Sequence, residues 1–305
     1  MIVPQVKIQS FRCFHTVEVE LRPLTVLIGA NDTGKSAFLA ALRCLFHPSR
    51  GGLGVQPADF HRHRLDMAAM VLTKEVRWTS GVEGHVGLYQ LPSSGIELTS
   101  RGHEGSLPPD LGEKGERVAT LLDYLLRRDR KRFDQILEAL RKHIPGLEDI
   151  GVSTPSAEVR SLELVVERGL SIDAARASTG LKVMLFFVAL AFHPTPPDLI
   201  LIEEPENGVH PRRLAEIIKL LRSITRGELS GHAAQIVLTT HSPYLLDGID
   251  LDQDQVLVFQ RKDDGTRTVE PADPQRLKKF LGEFQLGEVW FNEGERGLLA
   301  KPASS

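Results

Sequence analysis

Leu24-Thr25-Val26-Leu27-Ile28-Gly29-Ala30-Asn31-Asp32-Thr33-Gly34-Lys35-Ser36 is the stretch on which the reading of this chain turns. Leu24 to Ile28 has the make-up of a short buried strand, and Ser36 to Phe46 is an Ala- and Leu-rich helical run. Between them, Gly29 to Ser36 matches GxxxxGK[ST] at every fixed position, in the strand-loop-helix context that the pattern requires. The chemistry follows from that geometry. Backbone N–H groups of Gly29, Ala30, Asn31, Asp32, Thr33 and Gly34, with the helix N-terminus behind them, favour negative charge and face phosphates. Gly34 lets the backbone approach closely, Lys35 brings an ammonium to the β- and γ-phosphates, and Ser36 offers a hydroxyl to Mg²⁺.

Working outward, Leu199-Ile200-Leu201-Ile202 runs into Glu203-Glu204-Pro205-Glu206. An apolar strand with carboxylates at its C-terminal end suits the phosphate side of an α/β sheet. Adjacent strand residues point to opposite faces, so Glu203 is assigned to the magnesium shell and Glu204 to the attacking water as general base. Gln235 to Thr239 is a further buried strand, and His241 follows where it exits, placed to hydrogen-bond a γ-phosphate. Strand, helix and strand alternate at both ends of the chain around a mixed middle, which predicts an α/β core with an insertion. The other elements expected are strands at 2–9, 17–21, 70–78, 85–90, 96–99, 148–153 and 158–167. Helices are expected at 116–143, from Ser178 to before Pro194, at 212–225 and at 275–284, with a hairpin at 255–261 and 266–270.

Gly29–Ser36, Ser178-Thr179-Gly180, the run from Ile200 to Pro211 and Thr239 to Leu246 stand in an order that resembles the ABC-type ATPase superfamily. Within it the similarity is to the SMC/RecF-like and OLD-like branch of AAA ATPases, as are Lys7 to Phe14 ahead of the loop and a glutamate at 203 where transporter ATPases have aspartate. The resemblance implies the fold class: a P-loop NTPase of ABC-ATPase-head type, with a mixed central sheet flanked by helices and an antiparallel β and helical insertion. It implies one head over 1–305, made of a phosphate-loop lobe (1–54), the insertion (55–160), and a lobe carrying signature, acids and switch histidine (161–305). It implies ATP with Mg²⁺ and a composite site in an ATP-dependent homodimer. One subunit would give Lys35, Ser36, Glu203, Glu204 and His241; the other would give Ser178 and Gly180. Ser178 also reads as an N-cap, which turns a hydroxyl and N–H groups outward. Arg12 reaches phosphate in the family-like reading and is a surface arginine in the plain one. The family's coupling glutamine is not placed, with Gln56 and Gln90 as candidates.

The stretch between Ser36 and Ser178 lacks sustained heptads, so an SMC-type rod is not expected. Residues 242–305 are too few for a TOPRIM nuclease domain, so a separately encoded effector or nuclease is the expected partner. Three functions stay in view: an ATP-hydrolysing switch in DNA repair or anti-phage defence, a slow-hydrolysing nucleotide-sensing module, and, less favoured, a transporter ATPase subunit.

Composition sets outer limits. With 305 residues, 41% apolar and 25% charged, and a net charge of −3, a wholly basic nucleic-acid coat is excluded. Two cysteines make no disulfide framework, and the longest apolar run is half a membrane span, so a cytoplasmic protein without a membrane partner is expected. Arg127 to Arg132, with five basic residues in six, is a candidate DNA contact or a solvated helix face. Asp250 to Asp254 reads as a plain acidic loop, His61 and His63 as surface, and Trp290 as a core aromatic or a partner contact.

Overall fold

The computed structural model describes residues 3–46, 85–156, 158–278 and 284–299. In chain order the strands are β1 (Gln5–Phe11), β2 (Phe14–Glu20), β3 (Leu24–Ile28), β4 (Val86–Gln90), β5 (Thr99–Arg101), β6 (Leu147–Ser156), β7 (Val159–Val166), β8 (Leu170–Asp173), β9 (Leu199–Glu203), β10 (Gln235–Thr239), β11 (Gln255–Arg261) and β12 (Arg267–Pro271). The helices are α1 (Lys35–Phe46), α2 (Val118–Arg128), α3 (Arg130–His143), α4 (Thr179–Ala191), α5 (Pro211–Arg226), α6 (Pro243–Leu246), α7 (Pro274–Lys278) and α8 (Leu286–Leu298). The fold is mixed α/β, and the chain divides into two compact units.

The first unit holds residues 1–88, 197–204 and 234–305. Its main sheet runs β12-β11-β3-β10-β9-β4. β3 pairs in parallel with both β10 and β11, and β10 pairs in parallel with β9; β12 closes the edge antiparallel to β11. β3, β9 and β10 are buried on both faces, which is why they read as unbroken aliphatic runs. Because they are parallel, their C-terminal ends open on one edge of the sheet. The hairpin β1–β2 alternates buried and exposed residues and packs its apolar side over α1. Phe38 of α1 meets Phe14 edge-on at 6.5 Å and Phe259 of β11 at 5.5 Å, tying hairpin, helix and sheet into one core.

The second unit holds residues 89–196 and 205–233. The antiparallel strands β5-β7-β6, with β8 on β7, carry α2 and α3, and α4 is buried along its length from Val183. Tyr89 and Phe186 lie 5.1 Å apart in this core. Asp123 of α2, itself buried, accepts from Arg160 at 3.0 Å and Arg127 at 2.5 Å.

Four expectations are corrected. The helix expected at 116–143 is two helices, because Asp129 ends α2 and caps α3, accepting the Arg132 N–H at 3.1 Å. The strand expected at 96–99 begins only at Thr99; Ile96 and Leu98 are buried without strand pairing. Strand β8 was not expected: Leu170-Ser171-Ile172-Asp173 alternates over only four residues, and all four are exposed. The helix expected at 275–284 is described over α7, with 279–283 outside the described residues, and it is not the last: α8 follows it, opened by a capping box between Gln285 and Glu288. The strand expected at 70–78, with Gln56, His61 and His63, lies outside the described residues.

Candidate functional site: a phosphate-loop centre

The loop Gly29–Ser36, Glu203, Glu204 and His241 sit on the edge where β3, β9 and β10 end. The loop leaves β3 through Gly29, at φ 143°, where a Cβ would stand 2.3 Å from the Phe259 carbonyl oxygen. Gly34, at φ 109°, would put a Cβ 2.7 Å from the Phe14 ring and 2.8 Å from Cys13 Sγ. Only glycine fits either place, which gives the two fixed glycines of the pattern a steric cause. Thr33 Oγ1 donates to Ala30 O at 2.8 Å and pins the loop across its width. Arg267, a residue the sequence reading passed over, donates to the Asp32 carbonyl at 3.4 Å and braces the loop where Asp32 turns left-handed at φ 66°. Its signal was weak: one arginine in a polar hairpin.

Lys35 folds back on the loop, with Nζ donating to Gly29 O at 2.7 Å and Ala30 O at 3.0 Å. Burial lowers its proton affinity, and the carboxylates of Glu204 and Glu295 partly restore it. Ser36 lies one residue on, exposed. Asn31 is exposed on the loop as well.

Glu203 ends β9, in register with Thr239. Glu204 follows at φ 46°, a left-handed conformation that a β-carbon makes costly. Its N–H is held by Thr239 O at 3.1 Å and Thr239 Oγ1 at 3.2 Å. The turn aims its carboxylate at His241, whose Nε2 lies 3.7 Å from Glu204 Oε1. His241 is positioned by its neighbours: the Thr240 N–H donates to Leu27 O at the end of β3, and the Ser242 N–H to Thr240 Oγ1. Burial and the Lys35 ammonium push the imidazole below its ordinary value, against the pull of Glu204 and Glu295. Lys35, Glu204 and His241 therefore share one electrostatic neighbourhood.

Arg12 is the first residue of the β1–β2 turn, at φ 49°, with its guanidinium 5.5 Å from the Phe11 ring centre. Its neighbour Cys13 touches the loop at Gly34.

Ser178 and Gly180 belong to the second unit. Ser178 stands at the N-cap of α4, exposed, and its hydroxyl makes no capping bond. Gly208 of the turn that follows the acids packs on this segment, at φ 73° with no room for a Cβ beside Thr179. The basic run is less open than its composition suggested. Arg127, Arg130 and Arg132 pair with Asp123, Asp134 and Asp129 on their own helices or the cap between them. The Asp250–Asp254 segment caps itself, the Asp250 N–H donating to Asp254 Oδ2. Trp290 is half-buried on α8, while Phe291 beside it is 80% exposed.

The residues fit a nucleotide polyphosphate with magnesium. The donor set is of the right kind: exposed loop residues Ala30, Asn31 and Asp32 with their N–H groups, the Lys35 ammonium, and the exposed Ser36 hydroxyl. No cluster of three or more His, Cys, Asp or Glu side chains that could hold a metal ion exists among the described residues. No described helix is long and apolar enough to cross a membrane.

Comparison with known proteins bears on family and fold. The profile of the family described as "AAA domain, putative AbiEii toxin, Type IV TA system" matches residues 92–247, and that of the "AAA ATPase domain" matches residues 1–75. Endonuclease GajA of Bacillus cereus (strain VD045) is 38% identical over 58 residues, 19% of this chain; the match spans 10% of that relative's length. Three solved SMC heads share the fold. The head bound to the C-winged helix domain of ScpA has TM-score 0.61 at 13% identity, over 91% of this chain and all of that one. The Pyrococcus furiosus head with an extended coiled coil has TM-score 0.53 at 12% identity, over 92% and 98%. The Thermotoga maritima head has TM-score 0.50 at 12% identity, over 90% and 100%.

Proposed function

The chain belongs to the AAA-domain family whose profile spans residues 92–247 and folds as an SMC-type ABC ATPase head, and from that premise we propose that it binds and hydrolyses ATP with Mg²⁺. The observation that carries this reading is the meeting of Lys35, Glu204 and His241 at the ends of three adjacent parallel strands, with Glu204 held left-handed by Thr239. Backbone N–H groups of the loop orient the phosphates, and Lys35 leaves its loop carbonyls to meet them. Glu204 takes the proton of the attacking water, and His241, neutral, donates to the γ-phosphate. Ser36 and Glu203 would hold the Mg²⁺, whose contribution when bound is to neutralise charge that develops on the phosphates.

The switch we infer is a dimer closed on ATP, with Ser178 and Gly180 of one copy completing the site of the other. The exposed, uncommitted hydroxyl of Ser178 supports that role. The output would pass to a separately encoded effector in DNA repair or phage defence. A nuclease is the class favoured by the short likeness to an endonuclease.

ATP turnover and solution mass, measured together for wild type and Glu204→Gln with and without duplex DNA, test this. Loss of turnover with an ATP-dependent dimer trapped by Glu204→Gln is expected. A wild type that binds ATP, stays monomeric and turns over no faster than Glu204→Gln would overturn it in favour of a slow nucleotide-sensing module.

A further inference from the structure

Helix α8 breaks at Gly294, whose φ of 63° and ψ of −167° belong to a region essentially reserved for glycine. Nothing lies within 4 Å of where a Cβ would sit, so this glycine serves the bend rather than a close contact. The bend turns residues 293–296 into one wall of a cavity of about 810 Å³. Other walls are Ala30, Asn31 and Thr33 of the phosphate loop and the end of β11. Three cations line the cavity, Arg261, Lys262 and Arg296, against four acids, Asp263, Asp264, Glu293 and Glu295. Of the four acids Glu295 is half-buried and the other three are exposed. Its field reaches both Lys35 and His241, raising the proton affinity of each.

The helix that brings it is fixed to the segment carrying His241. The Gly287 N–H donates to Asp247 Oδ1 at 2.8 Å, and a Cβ on Gly287 would stand 2.1 Å from the Pro243 carbonyl oxygen. Glu295 is therefore held at the loop by α6 and by the bend together. A carboxylate fixed beside a phosphate loop repels a bare polyphosphate more than one whose charge a divalent cation has partly cancelled.

We propose that Glu295 is a specificity-determining residue of the nucleotide site, selecting the magnesium-bound triphosphate over the free one, on the footing that the site binds nucleotide as read above. Equilibrium dialysis against ATP with magnesium, and against ATP in EDTA, checks it on the full chain. Glu295→Gln is expected to tighten binding of ATP in EDTA about tenfold while moving that of magnesium-ATP less than about threefold. Gly294→Ala, which straightens the bend, should reproduce the effect. Glu293→Gln, on the exposed side of the same turn, should not. If wild type binds magnesium-ATP and Glu295→Gln shifts both affinities equally, or neither, the selection role falls alone. If folded wild type binds neither form, the nucleotide reading falls and this role with it.

Discussion

A left-handed glutamate costs about 1 kcal/mol of backbone strain, and Glu204 is kept there by both oxygens of Thr239. Thr239→Val keeps the shape and removes the hydroxyl acceptor. Turnover should fall about tenfold with KM little changed, because the loss is one of aim rather than of binding; steady-state kinetics read both. His241 gives a second test. Burial and Lys35 depress its imidazole below the ordinary 6.5, so it is neutral at pH 7. The acid limb of the kcat/KM profile should therefore lie below pH 6.5 and be lost in His241→Asn. The sign for folding is the same: an imidazole that protonates less readily folded than unfolded contributes stability above the unfolded value, and that contribution fades as pH falls below it.

At the scale of elements, legibility in the sequence followed burial. β3 and β10 were readable to the residue, since a strand covered on both faces leaves an unbroken aliphatic run between polar ends. β8 was missed because its alternation spans only four residues and buries none of them. α8 was hidden by its own glycines: Gly287 is needed for close contact with α6 and Gly294 for the bend, and both depress helical character in the sequence. The loop, acids and histidine were legible because their chemistry restricts residue type. Arg267, Thr239 and Glu295 were not, since their roles arise from strands and helices meeting over long separations. Two substitutions test elements. Asp123→Ala strips a buried acceptor from Arg160 and should cost about 3 kcal/mol in urea unfolding. Gly287→Ala should cost about 1–3 kcal/mol by forcing α8 off Pro243, and, by drawing Glu295 away from the loop, should tighten binding of ATP in EDTA in the same variant.

For the whole molecule, the decisive prediction is one of assembly. Glu204→Gln should double in mass by light scattering on adding magnesium-ATP, and Ser178→Arg in that background should keep ATP binding but stay monomeric. A further consequence lies in the wiring of the first unit. β3, the strand that launches the phosphate loop, has β10 on one side and β11 on the other, and Gln235 clasps Val3 through both its amide oxygen and its nitrogen. Both neighbours of β3 come from the last third of the chain. During synthesis the loop's own strand emerges early with both edges open, and the edge that β11 covers stays open until residue 261 has left the ribosome. Such long-range pairing folds slowly and exposes strand edges meanwhile. A nascent chain of this protein is thus a client for chaperones before it is an enzyme, and its nucleotide site is among the last features it acquires.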